Sequence, residues 1–139
     1  MRNQVILDTG PLVALLNRRD RHHQWAKDNW AEIAPPLLTC ESVLAEACFL
    51  VQPFAGGTTA VLEMVRRSVL DLSFRLAEES AAVSHLLKKY QDVPMSLADG
   101  CLVRMAEQHP ESVVFTLDSD FKIYRKRRRQ RIPTLSPTI

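Results

Sequence analysis

The chain has 139 residues, of which 46% are hydrophobic and 24% are charged, and its formal net charge is +2. These values are ordinary for a globular protein, so we expect a single domain over residues 1–139, and the lack of an apolar run near roughly 18 residues predicts no membrane-spanning helix. Three cysteines without paired spacing argue against a disulfide framework or a zinc ribbon and favour a reducing, cytoplasmic compartment.

Short apolar runs alternate along the chain with longer segments of helical periodicity. The runs predict five strands, at residues 4–7, 37–39, 68–74, 113–117 and 132–135. The periodic segments predict six helices, of which two begin at Pro11 and near Thr58 and four span residues 22–33, 42–51, 76–90 and 96–108. Strands that alternate with helices are typical of βαβ units, so we predict an α/β fold in which helices flank a parallel sheet of about five strands.

The first candidate site residue is Asp8, which directly follows the apolar run that ends at Leu7. An acid at the end of a parallel strand lies at the sheet edge where open α/β folds bind ligands, and Thr9 adds a hydroxyl beside it. The alternative is that Asp8 caps the helix that begins near Pro11. The triplet Asp-Thr-Gly also occurs in aspartic proteases, where two Asp residues share a proton, but that class is nearly all β and this chain is mostly helical in periodicity.

Two more acids, Glu46 and Asp99, lie within predicted helices. Val43 and Leu50 flank Glu46 at helical spacing, so we expect its carboxylate on the apolar face, where an acid needs a partner or a metal. A salt-bridged glutamate is the alternative. Asp99 ends the motif Ser-Leu-Ala-Asp, which fits a helix capping box as well as a functional carboxylate.

A further acidic segment follows the strand predicted at 113–117. It contains Asp118 and Asp120, and two acids at this spacing after a strand combine a metal ligand with a helix cap. We assign the metal to Asp118 and leave Asp120 as a ligand or a cap. Thr116 offers a hydroxyl that orients a water or a phosphate.

Carboxylates gathered at one edge of a sheet create an unfavourable concentration of charge. Like charges a few ångströms apart raise one another's pKa and destabilise the fold unless protons or cations balance them. A divalent cation is the usual solution, and hard oxygen ligands select Mg²⁺ or Mn²⁺ over Zn²⁺. We therefore predict a divalent metal site formed by these acids.

A basic segment follows the acids. Seven of the ten residues from 122 to 131 are basic, and the rest of the chain carries 11 basic against 16 acidic residues, a net charge of −5. A solvated tail is one interpretation, but positive charge next to a carboxylate cluster favours the binding of a polyanion. The candidate polyanion-binding residues are Lys122, Arg125, Lys126, Arg127, Arg128 and Arg129.

Four acidic motifs follow one another in a specific order. They are Ile-Leu-Asp-Thr at 6–9, Val-Leu-Ala-Glu at 43–46, Ser-Leu-Ala-Asp at 96–99 and Thr-Leu-Asp-Ser-Asp-Phe at 116–121. With this order and spacing, the chain from Val5 to about Pro137 resembles the PIN domain family and, within it, the VapC-type toxin ribonucleases. The resemblance implies a PIN-like three-layer fold and a Mg²⁺- or Mn²⁺-dependent endoribonuclease that hydrolyses RNA phosphodiester bonds.

Carried over residue by residue, the resemblance implies a catalytic set of Asp8, Glu46, Asp99 and Asp118. It implies that Asp8, Asp99 and Asp118 hold the metal and that Glu46 completes the metal shell or orients the attacking water. The auxiliary residues are Asp120, Thr9 and Thr116. The resemblance also implies an RNA substrate such as tRNA or another structured RNA, a homodimer, and a small cognate antitoxin that blocks the site.

Other functions fit parts of the same pattern. A housekeeping PIN-domain nuclease that processes RNA would keep every acid, and a non-catalytic RNA-binding regulatory module would keep the fold. A phosphotransfer receiver domain also carries acids at strand ends. It needs paired acids directly after its first strand, however, and this chain has only Asp8 there.

Overall fold

The computed structural model describes residues 1–54, 56–127 and 129–137. Its strands are β1 (Val5–Leu7), β2 (Leu37–Leu38), β3 (Leu70–Asp71), β4 (Val113–Phe115), β5 (Arg125–Lys126), β6 (Gln130–Arg131) and β7 (Thr134–Leu135). Five of them form a parallel sheet in the order β3-β2-β1-β4-β7. The other two, β5 and β6, form an antiparallel hairpin.

Within the described residues, six α-helices and one short 3-10 helix connect these strands. They are α1 (Thr9–Leu16), α2 (His23–Trp30), α3 (Glu41–Val51), α4 (Gly57–Arg66), α5 (Leu76–Lys89), α6 (Leu97–Gln108) and the 3-10 helix η1 (Ser119–Lys122). No helix within the described ranges combines the length and the apolar character that crossing a bilayer requires.

The alternation of side chains along the strands divides the core into two clusters. Ile6 and Val114 point to one face of the sheet and belong to the cluster that α5 and α6 complete. Val5, Leu7 and Phe115 point to the other face and belong to the cluster that α1, α3 and α4 complete. Because both faces of the sheet are covered, its two central strands, β1 and β4, are apolar throughout. The predicted α/β class, with helices on both faces of a five-stranded parallel sheet, is confirmed.

The predicted elements differ from the structure mainly at their ends. The strand predicted at 68–74 consists only of Leu70–Asp71, because Ser68 has a left-handed backbone (φ 60°) and the Ser73 amide turns back to donate to the Asp71 carboxylate. The helix predicted at 22–33 ends at Trp30. The basic segment, for which no helix or strand was predicted, begins at the last residue of η1 and contains the strands β5 and β6.

The strand order places the carboxyl ends of β1 and β4 side by side at the centre of the sheet. All five strands run parallel, but the chain adds them on both sides of this point: β2 and β3 lie to one side of β1, and β7 lies beyond β4 on the other. Ligands of open α/β sheets bind at this switch point. Asp8 and the segment from Thr116 to Asp120 leave the sheet there, and the Asp8 amide donates to the carbonyl of Phe115 across the gap (3.0 Å).

Candidate active site

Asp8 is held at the switch point by two hydrogen bonds. Its Oδ1 accepts from the amide of Thr9 (2.7 Å) as Asp8 caps α1, and its Oδ2 accepts from the hydroxyl of Thr116 (2.6 Å). The residue is only 6% exposed. Burial raises the pKa of its carboxyl to about 6, against the opposing effect of these hydrogen bonds, and the charges of Asp99 and Asp118 raise it further. Asp8 is therefore both a helix cap and an acid held in an unfavourable setting.

Glu46 approaches Asp8 through Thr9. The Thr9 hydroxyl donates to Glu46 Oε2 (2.9 Å), so the residue after the cap joins α1 to the middle of α3. The expectation that Glu46 lies on the apolar face of its helix is wrong. Both Glu46 and Leu50 are exposed, because this side of α3 borders an open cleft rather than the core.

Asp99 lies in the first turn of α6 and is held from two sides. Its amide donates to the hydroxyl of Ser96, which caps the helix (3.0 Å), and its Oδ2 accepts from the hydroxyl of Tyr124 (2.8 Å). Burial raises the pKa of Asp99, the Tyr124 hydrogen bond opposes this rise, and the charges of Asp118 and Glu46 add to it. Asp99 therefore takes part in the capping of α6 and is also close enough to Asp118 and Glu46 for their charges to affect its pKa.

Asp118 and Asp120 follow β4 and shape η1. The Asp118 amide donates to the hydroxyl of Thr116 (2.9 Å), and Asp118 Oδ1 accepts from the amide of Asp120 (2.9 Å) as the cap of η1. Thr116 thus contacts both Asp8 and Asp118, and its hydroxyl fixes the two acids relative to each other across neighbouring strands.

The five acids line one open cleft of about 510 Å³, which we call the acid cleft. Its acidic walls are Asp8, Glu46, Asp99, Asp118 and Asp120. No lysine, arginine or histidine lines it among the described residues. The predicted acids therefore come together from three helices and two strand ends, and no cation among the described residues that line the cleft balances their charge.

The donor set of the acid cleft fits a hard divalent cation. All its ionisable ligands are carboxylates, which suit Mg²⁺ or Mn²⁺, and the raised pKa values of Asp8 and Asp99 are those of acids that lack a balancing charge. In the described part of the chain, no three acidic, histidine or cysteine side chains stand close enough to hold one ion together. A shared ion therefore requires side-chain rotation toward the centre of the cleft.

The predicted polyanion-binding residues divide into engaged and exposed members. The Arg125 guanidinium donates to three backbone carbonyls, at residues 122 to 124 (2.6–3.0 Å). Lys126 is buried, and its Nζ donates to the carbonyl of Pro110 (3.2 Å). Arg127 is exposed but donates to Glu107 through its amide and its guanidinium. The remaining members are Lys122 and Arg129, which are exposed, and Arg128, which lies outside the described residues.

Tyr124 is a site residue that sequence reasoning missed. It is fully buried, packs edge-on against Tyr90 and Phe121, and places its hydroxyl on Asp99. The burial and the neighbouring acids raise its pKa well above the usual range, so it remains a hydrogen-bond donor. An aromatic residue within a run of charges was the available signal, since such a residue usually buries its ring and keeps its polar tip paired.

Comparisons with known proteins show which family and which relatives the chain resembles. The family model of the PIN domain matches residues 5–127. Ribonuclease VapC26 of Mycobacterium tuberculosis is 27% identical over 116 residues, which are 82% of this chain and 86% of that protein.

Two solved structures share the fold. The crystal structure of Mycobacterium tuberculosis VapC20, a sarcin-ricin loop cleaving toxin, has a TM-score of 0.71 and 24% identity over 86% of this chain and 93% of that one. The crystal structure of VapBC2 from Rickettsia felis, bound to a DNA fragment from its promoter, has a TM-score of 0.62 and 13% identity over 99% of this chain and 100% of that one.

Proposed function

The chain belongs to the PIN domain family, and we propose that it is a Mg²⁺- or Mn²⁺-dependent endoribonuclease, the toxin of a type II toxin–antitoxin pair. The acid cleft is the observation that carries this proposal, because five carboxylates meet at the switch point of the sheet with no positive charge to balance them among the described lining residues. The similarity to ribonuclease VapC26 supports RNA as the substrate.

We assign the metal to Asp8, Asp99 and Asp118. When bound, a divalent ion supplies the positive charge that acidifies a water and neutralises the scissile phosphate. Asp8 is fixed by one hydrogen bond on each oxygen, which leaves each oxygen a lone pair for the cleft. Tyr124 fixes Asp99 in the same way. Asp118 is the most exposed of the three, and because its Oδ1 accepts from the amide of Asp120, we assign its Oδ2 to the metal.

Glu46 is the residue that we propose to orient the attacking water. The Thr9 hydroxyl holds its Oε2, so Oε1 remains available at the exposed side of the cleft to accept a proton. The Thr116 hydroxyl donates to the Asp8 carboxylate and accepts from the Asp118 amide, so it holds these two residues side by side. The amide of Asp120 donates to the Asp118 carboxylate. Cleavage then depends on the charge of the acids and on the three hydroxyls that orient them.

We propose RNA, such as tRNA or another structured RNA, as the polyanion, with Lys122, Arg127 and Arg129 as exposed contacts. The side chains of Lys122 and Arg129 are exposed, whereas those of Arg125 and Lys126 donate to backbone carbonyls of the protein itself. Residues 1–139 act in this proposal as one cytoplasmic domain that forms a homodimer. The fold shared with the VapBC2 structure supports a small antitoxin as the cognate partner.

A cleavage assay with controlled metal tests the proposal. The purified protein is incubated with total cellular RNA in a chelator and then with Mg²⁺ or Mn²⁺, and the new RNA ends are mapped. We expect ends only with metal, and a loss of at least about 10²-fold in Asp99→Asn, the scale of a lost electrostatic contact to a transition state. Glu111→Gln, which removes the same charge from an exposed position outside the acid cleft, should cleave like the unmodified protein.

Equal cleavage in the chelator would contradict the metal assignment. RNA binding without any cleavage in either metal would favour the non-catalytic regulatory module. Expression with and without the adjacent small reading frame separates a toxin from a housekeeping nuclease, because only a toxin is neutralised by the product of its neighbour.

A further inference from the structure

A second, smaller pocket adjoins the acid cleft. It has a volume of about 120 Å³, and we call it the flanking pocket. Arg21 and His22, from the loop between α1 and α2, form one of its walls, and Lys122 of η1 forms another. Leu117 and Asp118 line both the flanking pocket and the acid cleft. The two openings are therefore neighbours that share part of the short segment after β4.

The flanking pocket has the charge that the acid cleft lacks. Arg21 and Lys122 bring two cations to it, and its lining also includes the hydroxyl groups of Ser119, Thr134 and Ser136 beside Leu117 and Pro137. Guanidinium, ammonium and hydroxyl groups all donate hydrogen bonds, and phosphate oxygens are strong acceptors of such bonds. The pocket is smaller than the pockets that enclose drug-sized ligands. Its size and its donors fit one phosphate group better than a whole nucleotide.

The fold holds Arg21 at this pocket through a chain of ring contacts. The Arg21 Nε donates to His22 Nε2 (3.0 Å), which uses one of the five donors of the guanidinium. The His22 ring stands edge-on to Trp25 (6.4 Å between centroids), and Trp25 packs on Phe115 of β4 (5.3 Å). The loop that carries Arg21 is thereby tied to β4, the strand that precedes Asp118.

The one carboxylate among the described residues that line the flanking pocket, Asp118, does not neutralise the charges of Arg21 and Lys122. Asp118 lines it, but Asp118 Oδ1 accepts a hydrogen bond from the amide of Asp120. In our proposed function the same carboxylate is balanced by the metal on the cleft side. By contrast, the hairpin cations Arg125 and Lys126 already donate to backbone carbonyls, so they have less to offer to a substrate.

We propose that the flanking pocket binds the RNA phosphate next to the scissile one, with Arg21 and Lys122 as its ligands. The inference rests on the proposed ribonuclease function and specifies how the substrate is placed. The two openings are close together, because Leu117 and Asp118 line both of them. Neighbouring phosphates of one RNA strand are also close together, because a single ribose joins them. A strand with its scissile phosphate in the acid cleft thus brings the next phosphate to the cations.

Phosphate ethylation interference tests this placement. The probe is a transcript that contains one mapped cleavage position and is sparsely ethylated at its phosphates, which removes their charge. With the unmodified protein, we expect ethylation to block cleavage both at the scissile phosphate and at one neighbouring phosphate. In Arg21→Gln and Lys122→Gln, interference at the neighbouring position should disappear, and KM for the unmodified transcript should rise about tenfold, the effect of one lost charged hydrogen bond. The matched control is Lys88→Gln, which removes an exposed cation on α5 and should retain both interference positions.

The outcomes separate this inference from the proposed function. If the neighbouring phosphate interferes equally in the unmodified protein and in both variants, the flanking pocket does not bind it. If ethylation next to the cleavage site never interferes, the inference is also wrong, although the ribonuclease assignment stands. If the protein neither cleaves nor binds RNA, the proposed function and the inference fail together.

Discussion

The acid cleft and the β5–β6 hairpin carry opposite charges, and they differ in how the fold satisfies those charges. In the hairpin, Arg125 donates to carbonyls at the end of η1, Lys126 donates to Pro110, and Arg127 contacts Glu107. In the acid cleft, burial and like charges raise the pKa of Asp8 and Asp99. Local folding satisfies most of the first group, but it leaves the second group in repulsion.

This difference shows that a high density of charge in the sequence does not by itself identify a functional site. A dense run of basic residues was the most visible feature of the sequence, yet much of it supports the hairpin. The acids are far apart in the sequence and include a buried residue whose ionisation opposes folding. Charge that destabilises a fold needs another reason to be present, and binding of a cation and of a substrate is such a reason. The following predictions test this distinction.

The largest expected effect concerns the stability of the metal-free protein when Asp8 is replaced. The pKa of Asp8 is raised to about 6 from 3.8, so the folded state holds this proton more tightly than the unfolded state. Its contribution to stability is therefore complete below about pH 4 and is lost as the pH rises through about 6. Asp8→Asn removes this dependence. Relative to the unmodified protein, the variant should gain up to about 3 kcal/mol between pH 4 and pH 7, measured by urea unfolding in a chelator.

A cleft without unbalanced charge would give a different result. If the difference in unfolding free energy between Asp8→Asn and the unmodified protein were the same at pH 4 and pH 7, Asp8 would be an ordinary helix cap. Glu111→Gln is the matched control, because it removes the same kind of charge from an exposed position outside the acid cleft. Adding Mg²⁺ should stabilise the unmodified protein and not Asp8→Asn.

The next effect concerns the buried lysine of the hairpin. Lys126→Ala removes a buried aliphatic stem and the hydrogen bond to Pro110, so the free energy of unfolding should fall by about 2 kcal/mol. The salt dependence of RNA binding should not change, because Lys126 is not exposed to substrate. Lys126→Met, which keeps the stem, should lose less stability than Lys126→Ala.

The opposite result would make Lys126 part of the substrate surface. Unchanged stability, together with a fall of about 0.7 in the slope of log K against log salt for a single-stranded RNA, would indicate a lost phosphate contact. Such a result would reverse the contrast between the hairpin and the acid cleft.

The fold class and the location of Asp8 and Asp118 at the sheet edge could be predicted, because both depend on local sequence patterns. Apolar runs marked β1 and β4, and parallel strands bring their carboxyl ends to one edge, so Asp8 and Asp118 were expected at the same edge, and the pairing of β1 with β4 places them side by side. The sequence offered helix capping by Asp8 as an alternative to metal binding, but in the structure Asp8 caps α1 and also lines the acid cleft, so the two interpretations are compatible. Both follow from the same position at the end of a strand and the start of a helix.

The remaining features depend on tertiary packing that periodicity does not describe. The helical spacing of Val43 and Leu50 indicated a buried face for Glu46, but Leu50 borders an open cleft and is half exposed. A lysine in a basic run indicated a solvated side chain, yet the hairpin folds Lys126 over Pro110. Tyr124 reaches Asp99 from 25 positions away, a contact that exists only after η1 and the hairpin have formed.

The smallest of these effects tests whether the hydroxyl of Tyr124 serves the acid cleft or only the core. In Tyr124→Phe, Asp99 loses the donor that opposes the rise of its pKa, so cleavage should fall about tenfold, as with lost outer-shell partners of metal ligands. The acidic limb of the pH–rate profile should move to higher pH. Tyr90→Phe is a closely matched control, because the Tyr90 ring packs on Tyr124 (5.1 Å between centroids) and its hydroxyl accepts from the amide of Arg125. That variant should lose about 1 kcal/mol of stability and keep its pH–rate profile. If both variants lost stability equally and cleaved alike, the Tyr124 hydroxyl would belong to the scaffold, as the hairpin cations do.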